Sequence, residues 1–79
     1  MNLEKMNARR AVVVTPSNSV DLPMSASALW IGGAGNVNLI TSAGDTCLFS
    51  GISAGTYLNV QTTRVLVTNT TATLIVALA

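Results

Sequence analysis

The stretch Ala28-Leu29-Trp30-Ile31-Gly32-Gly33-Ala34-Gly35-Asn36-Val37-Asn38-Leu39-Ile40-Thr41 decides how this chain is read. It holds three of the six glycines within four positions. An apolar run followed by clustered glycines opens a phosphate-binding loop, and it equally turns a β-hairpin. The residues after Gly35 separate the two readings. A dinucleotide loop needs G-x-G-x-x-G leading into a helix whose N-terminus faces the phosphates. Here Gly33-Ala34-Gly35 runs on to Asn38 where the third glycine belongs, and no Gly-Lys-Ser or Gly-Lys-Thr of a Walker loop occurs anywhere. From Asn36 to Leu39 the polarity alternates with period two, so Val37 and Leu39 share one face and Asn36 and Asn38 the other. The sequence therefore predicts a tight turn joining strands 28–31 and 36–41, with glycine supplying positive φ.

The same signals extend along the chain. From Ala11 onward, short runs rich in Val, Ile, Leu and Thr are punctuated by Gly, Pro, Ser and Asn at the spacing of a sandwich or barrel. The expected strands are Ala11–Thr15, Ala28–Ile31, Asn36–Thr41, Thr46–Phe49, Thr56–Gln61, Arg64–Thr68 and Thr73–Leu78. The segment 16–23 has a proline at each end and reads as an extended connection, not a central strand. Ser42-Ala43-Gly44-Asp45 and Ser53-Ala54-Gly55-Thr56 look like two equivalent hairpin turns. Strands 64–68 and 74–78 are apolar on both faces, which predicts burial on both, in a core or beneath another subunit. The fold class expected is all-β: a small antiparallel sandwich or barrel of about seven strands over residues 11–79, preceded by an N-terminal arm, 1–10.

Composition constrains function. The chain has 79 residues, room for one domain with a radius of gyration of about 12 Å. Domains this small commonly need a staple. Cys47 is the only cysteine and there is no histidine, so neither an intrachain disulfide nor a zinc site is expected. Oligomerisation is the staple that remains. Only 9% of residues are charged, against roughly 25% in ordinary domains. Glu4, Lys5, Arg9 and Arg10 fall in the arm, leaving Asp21, Asp45 and Arg64 for the rest of the chain. Such a surface resists self-association poorly unless Thr, Ser and Asn keep it wet or neighbouring subunits cover it.

A net charge of +1 gives no field to hold nucleic acid, and no apolar run approaches the ~20 residues of a membrane span. The arm predicts no signal peptide, and a lone cysteine suits a reducing compartment. Enzymatic chemistry is not expected. There are seven serines, yet no histidine to act as base and a single lysine, in the arm. Cys47 lies mid-strand, where a small buried residue is expected. Asp21 and Asp45 each have ordinary loop explanations. Trp30 and Tyr57, if co-facial and exposed, could stack a sugar ring, which makes a small carbohydrate-binding module the alternative reading. Trp30, flanked by Leu29 and Ile31, is expected in the core or in a subunit interface.

At Asp21-Leu22-Pro23, Ala28 to Val37, Gly44-Asp45-Thr46, Gly51-Ile52-Ser53-Ala54-Gly55-Thr56 and Arg64 to Leu78, the chain resembles a family of small virion proteins. These are the capsid-spike base proteins of gene transfer agents and similar short proteins encoded near the head genes of tailed bacteriophages. The likeness spans residues 14–78 and rests on the order and spacing of the motifs. It departs from the family at Thr62-Thr63, where arginine is more usual, and after the last apolar strand, where Ala79 stands in place of an aromatic.

The resemblance implies a symmetric homo-oligomer, trimer or pentamer, outside a capsid. It would act as cement, decoration or spike base, be made in the host cytoplasm and use no cofactor. The implied partners are the major capsid protein and, for a spike base, a fibre protein. Lys5, Arg9 and Arg10 are the candidate contacts to capsid or neighbour. Trp30, Val65, Val67, Leu74, Val76 and Leu78 are the candidate oligomer interface.

Overall fold

The computed structural model describes residues 8–79, and among them the chain forms seven β-strands and no helix. The strands are β1 (Ala11–Val13), β2 (Ala28–Gly33), β3 (Gly35–Thr41), β4 (Thr46–Ile52), β5 (Thr56–Leu58), β6 (Thr62–Val65) and β7 (Thr73–Leu78). They make two antiparallel sheets, one in the order β1-β7-β2-β5 and one in the order β4-β3-β6. The two sheets face each other across the core. Leu29, Ile31, Ile75 and Ala77 come from the first sheet, and Val37, Leu39 and Val65 from the second. The alternation that predicted the inner face of β3 is the alternation observed, with Val37 and Leu39 fully buried. Thr62 is also fully buried and satisfies its hydroxyl on the Val60 carbonyl at 2.9 Å, as a buried polar group must. The radius of gyration is 11.7 Å, matching the expectation from length.

The glycine cluster does not close a hairpin. β2 and β3 belong to different sheets, so Gly33-Ala34-Gly35 is a corner that carries the chain across the sandwich. The reason for glycine here is the approach of the segment leading into β7. A Cβ on Gly35, whose φ is +152°, would lie 2.6 Å from the Ala72 nitrogen and 2.8 Å from its Cα. A Cβ on Gly33 would strike the Thr73 hydroxyl, and one on Gly32 would lie 2.9 Å from Leu74 Cβ. The two Ser-Ala-Gly motifs also diverge. The one at 42–45 closes a true β3–β4 hairpin, whereas the one at 53–56 takes the chain from β4 in one sheet to β5 in the other.

Three strands are shorter than the sequence suggested, and the first of them, β1, ends at Val13 instead of Thr15. β5 stops at Leu58, where Val60 N–H turns back onto the Leu58 carbonyl at 3.0 Å and the chain crosses to the second sheet. β6 is Thr62–Val65, not Arg64–Thr68. Beyond Leu66 the backbone is drawn away by asparagine side chains. Asn18 Oδ1 accepts from the N–H groups of Val67 and Thr68 at 3.0 and 3.2 Å, and Asn38 Nδ2 donates to the Thr68 carbonyl at 3.1 Å. Thr71 and Ala72 N–H both donate to the Asn36 carbonyl, at 2.9 and 3.0 Å. The 16–23 connection follows β6 but is not extended throughout: Ser17 and Leu22 N–H donate to the Val65 and Thr63 carbonyls at 2.8 and 2.9 Å, and between them the chain turns, Ser19 and Val20 N–H donating to Ser17 Oγ at 3.2 and 3.0 Å. Arg64, isolated in sequence, pairs across this seam with Asp21 at 2.8 Å. Both partners are partly exposed, so the pair contributes no more than about 1 kcal/mol after solvent screening.

The corner gives a direct test. Gly35→Ala is expected to lower the unfolding free energy by roughly 2–4 kcal/mol, because both backbone strain and a backbone clash result. Gly44→Ala, where φ is +94° but no atom lies within 4 Å of the new Cβ, is expected to cost only about 1 kcal/mol. Chemical denaturation of the two variants measures the difference.

Candidate functional site

Strand register decides which side chains share a face. Val13 lies opposite Val76, Val76 opposite Trp30, and Trp30 opposite Tyr57, so these four form one row across β1, β7, β2 and β5. Because Leu29, Ile31, Ile75 and Ala77 point into the core, this row points outward. Three of its members are widely exposed: Val13 at 76%, Trp30 at 42% and Tyr57 at 50%. In the next row, Ala11–Leu78–Ala28, the exposure falls off, from exposed Ala11 through half-buried Leu78 to fully buried Ala28, while Leu74, two residues from Val76 along β7, extends the face in the other direction. No charged residue stands on these positions. A contiguous apolar sheet face of this kind marks an interaction surface more often than a solvated one.

Leu74 is the most unusual member. It is 75% exposed and sits at φ +54°, a left-handed conformation that costs a leucine about 1–2 kcal/mol. Opposite it the chain approaches so closely that only Gly32 fits, as the Cβ geometry above shows. Backbone strain and exposure of an apolar side chain both oppose this arrangement in an isolated subunit. Covering the side chain would offset part of that cost.

Of the six residues expected at an interface, the fold brings Trp30, Leu74, Val76 and Leu78 onto this one face. Val65 is not available to a partner: it is 1% exposed and belongs to the core between the sheets. Val67 is exposed, but it lies in the loop after β6, away from the other four in the sheet order. Of the two covers expected for β7, a core or another subunit, the core of this subunit supplies one side, where Ile75 and Ala77 are buried. Cys47 is exposed, not buried, although it is registered with fully buried Leu39, because β4 is the outermost strand of its sheet. Sequence reasoning overlooked Val13, whose role depends on β1 pairing with β7.

The candidate basic contacts lie at the margin of this face. Arg9 and Arg10 are exposed, and their backbone N–H groups share the Ala79 carbonyl at 2.6 and 2.7 Å, while Ala79 N–H donates to the Arg10 carbonyl at 3.0 Å. This pairing fixes both arginines beside the end of β7. Lys5 lies outside the described residues. Asp21 is engaged by Arg64. Asp45 closes the β3–β4 turn, its N–H on Thr41 Oγ1 at 3.2 Å and its carbonyl accepting from Thr41 N–H at 2.8 Å. The Asp21 carboxylate is thus held by Arg64, while Asp45 is fixed in its turn through its backbone.

A two-sheet β-domain with one apolar outer face defines a binding or assembly module. Comparison with known proteins narrows this. No protein-family profile matches the chain, and no curated protein sequence does. A solved structure described as the capsid of the native GTA (gene transfer agent) particle, computed with C5 symmetry, contains a similar chain. The two share 37% sequence identity, with a TM-score of 0.84, over 100% of this chain and 90% of that one. Identity of that order over the full length shows common ancestry, and the chain belongs to the family of that capsid chain.

Leu74→Gly separates strain from contact. It is expected to leave the subunit as stable as the wild type or up to about 1 kcal/mol more stable, since glycine relieves the left-handed strain. The same change is expected to weaken self-association, measured as a shift of light-scattering mass toward the monomer.

Proposed function

We propose that this chain is a non-enzymatic structural protein of a virion of the tailed-phage or gene-transfer-agent type. In this reading it is homo-oligomeric and sits on the capsid exterior, bound to the major capsid protein. Its kinship to a chain of a capsid particle is the observation that carries the reading. The subunit's physical chemistry supports it independently. A domain with few charges, a small core and a bare apolar sheet face gains stability when that face is covered, at about 25 cal/mol per Å² of apolar surface buried.

Two placements fit such a protein: the base of a vertex spike, or cement within the capsid lattice. A spike base would have a fibre protein as a further partner. Arg9 and Arg10, fixed at the margin of the apolar face, are the residues assigned to contact with the capsid or a neighbour.

A sugar-binding module takes support from one observation, the side-by-side exposure of Trp30 and Tyr57 on adjacent strands. Stacking a sugar on aromatic rings also calls for hydrogen-bonding groups around its rim. The residues flanking the pair in register are Val76 and Val13, and neither side chain can hydrogen-bond. Assembly therefore fits this face better than sugar binding.

Light scattering on the purified chain is expected to give an oligomer, five-fold for a spike base and three-fold for cement. Cosedimentation with capsids lacking the protein is expected to recover it, and Arg9→Ala/Arg10→Ala to reduce that recovery without changing the circular dichroism. A chain that is monomeric and ignores capsids would refute the proposal. Quenching of Trp30 fluorescence by sugars would shift support to the carbohydrate reading.

A further inference from the structure

The edges of the sheets are protected unequally. At the β6 edge of the three-stranded sheet, Ser17 and Leu22 donate to Val65 and Thr63, and Ala26 and Thr62 exchange hydrogen bonds in both directions at 2.9 and 3.0 Å. The opposite edge is β4, seven residues long and paired only with β3. The phase of its backbone follows from its neighbour. Asn38 turns both of its groups away from β4, the carbonyl accepting from Leu66 N–H at 2.8 Å and the N–H donating to Thr70 Oγ1 at 3.0 Å. Directly opposed residues in an antiparallel ladder turn their groups either both toward each other or both away. Leu48 is opposed to Asn38, so its N–H and C=O point out of the sheet, and by the two-residue period so do those of Thr46. The neighbouring phase agrees, since the Asp45 carbonyl accepts from Thr41 toward β3. Past Phe49 a bulge opposite Asn36 shifts the register, and there Gly51 N–H donates to Asn36 Oδ1 at 2.9 Å.

Natural edges are blunted by short length, bulges, lysine, proline, inward charge or a covering loop. The sequence of β4, Thr46-Cys47-Leu48-Phe49-Ser50-Gly51-Ile52, has no charge and no proline; its bulge falls after Phe49, so Thr46–Phe49 is the regular part of the edge, and there Leu48 is 45% exposed. Among the described residues, a second edge without a partner lies on the other sheet. In β1, Arg10 and Val14 bond to Ala79 and Ile75 of the β7 side, the Val14 bond at 2.9 Å, so Ala11 and Val13 turn their N–H and C=O outward. The β4 edge of one sheet and the β1 edge of the other are unlike, and unlike edges can meet head to tail in a closed ring.

We infer that the β4 edge takes a strand from a second copy of this chain, with β1 of the neighbour as the strand it receives, so that the three-stranded sheet of one subunit continues into the four-stranded sheet of the next. The inference rests on the homo-oligomeric reading above and specifies its contact. It also accounts for Val13: the residue whose backbone faces the neighbour carries the most exposed of the large apolar side chains on the outer face, so the interface and that face are continuous.

Proline tests the backbone groups selectively. At Leu48 and at Val13 the N–H points outward, so Leu48→Pro and Val13→Pro each remove an intersubunit donor and leave the subunit's own ladders intact. Each is expected to weaken association about tenfold per contact, read as a shift of light-scattering mass toward the monomer, with the β-sheet circular dichroism retained. Leu48→Thr and Val13→Thr keep the N–H and are expected to leave the mass near that of the wild type. Leu48→Lys, a charge on the edge, is expected to dissociate the oligomer and provides a second check should a proline variant fail to fold.

An oligomer unaffected by both Leu48→Pro and Leu48→Lys overturns the β4 assignment while leaving the homo-oligomeric reading intact. One that resists only Val13→Pro overturns β1 as the neighbour's strand. Dissociation by Leu48→Thr to the same extent as by Leu48→Pro overturns the backbone argument in favour of side-chain packing. A wild-type chain that is monomeric at micromolar concentration overturns the homo-oligomeric reading, and this inference with it.

Discussion

The contact on which the fold depends is the close approach of the glycine corner to the chain entering β7. Gly35 lies against the backbone of Ala72 and Gly33 against the side chain of Thr73, and neither glycine has room for a Cβ. That approach lets β2 end in one sheet and β3 begin in the other within a single intervening residue. It also brings the segment before β7 beneath Asn36, whose carbonyl accepts two N–H groups from it. The sandwich closes because the corner has no Cβ to hold the two layers apart.

Polar surface in this protein is built from amides and hydroxyls. Asn18, Asn36 and Asn38 satisfy backbone groups that no strand pairs, and Thr70 and Thr71 accept from β3 in turn. Side chains that bond to local backbone offer the chain an alternative to a sheet ladder, and here they hold the arch from Leu66 to Ala72. Charge has a minor structural role, the partly exposed Arg64–Asp21 pair being the ion pair among the described residues. A surface of this kind is wet without being repulsive.

The apolar face and the open edges are properties of one design. A small core leaves little to stabilise an isolated subunit, and the uncovered row from Val13 to Tyr57 holds apolar surface in reserve for a partner. Leu74, held outward in a strained conformation, belongs to the same face. Membership in the family of a capsid chain gives this reserve a setting, since closed symmetric assemblies cover both faces and edges.

Period-two alternation and the spacing of Gly, Pro, Ser and Asn were enough to read an all-β chain, most of its strands and the buried pair Val37 and Leu39, because side-chain direction in a strand is a local property. The absence of histidine and the failed glycine motifs were likewise local facts, and they turned the reading away from catalysis. Sheet membership was not legible. A glycine corner and a glycine hairpin share the same residues, and only the distant approach of Ala72 and Thr73 tells them apart.

For the same reason Val65 reads like Val76 in sequence, yet one lies between the sheets and the other on the outer face. Cys47 reads as buried beside Leu39, yet is exposed because its strand has no further neighbour. The sequence by itself determined that strands form and which side chains alternate. The tertiary structure decided which of the two apolar faces of each strand became core and which stayed open, because that depends on which strands pair across long separations and where each sheet ends.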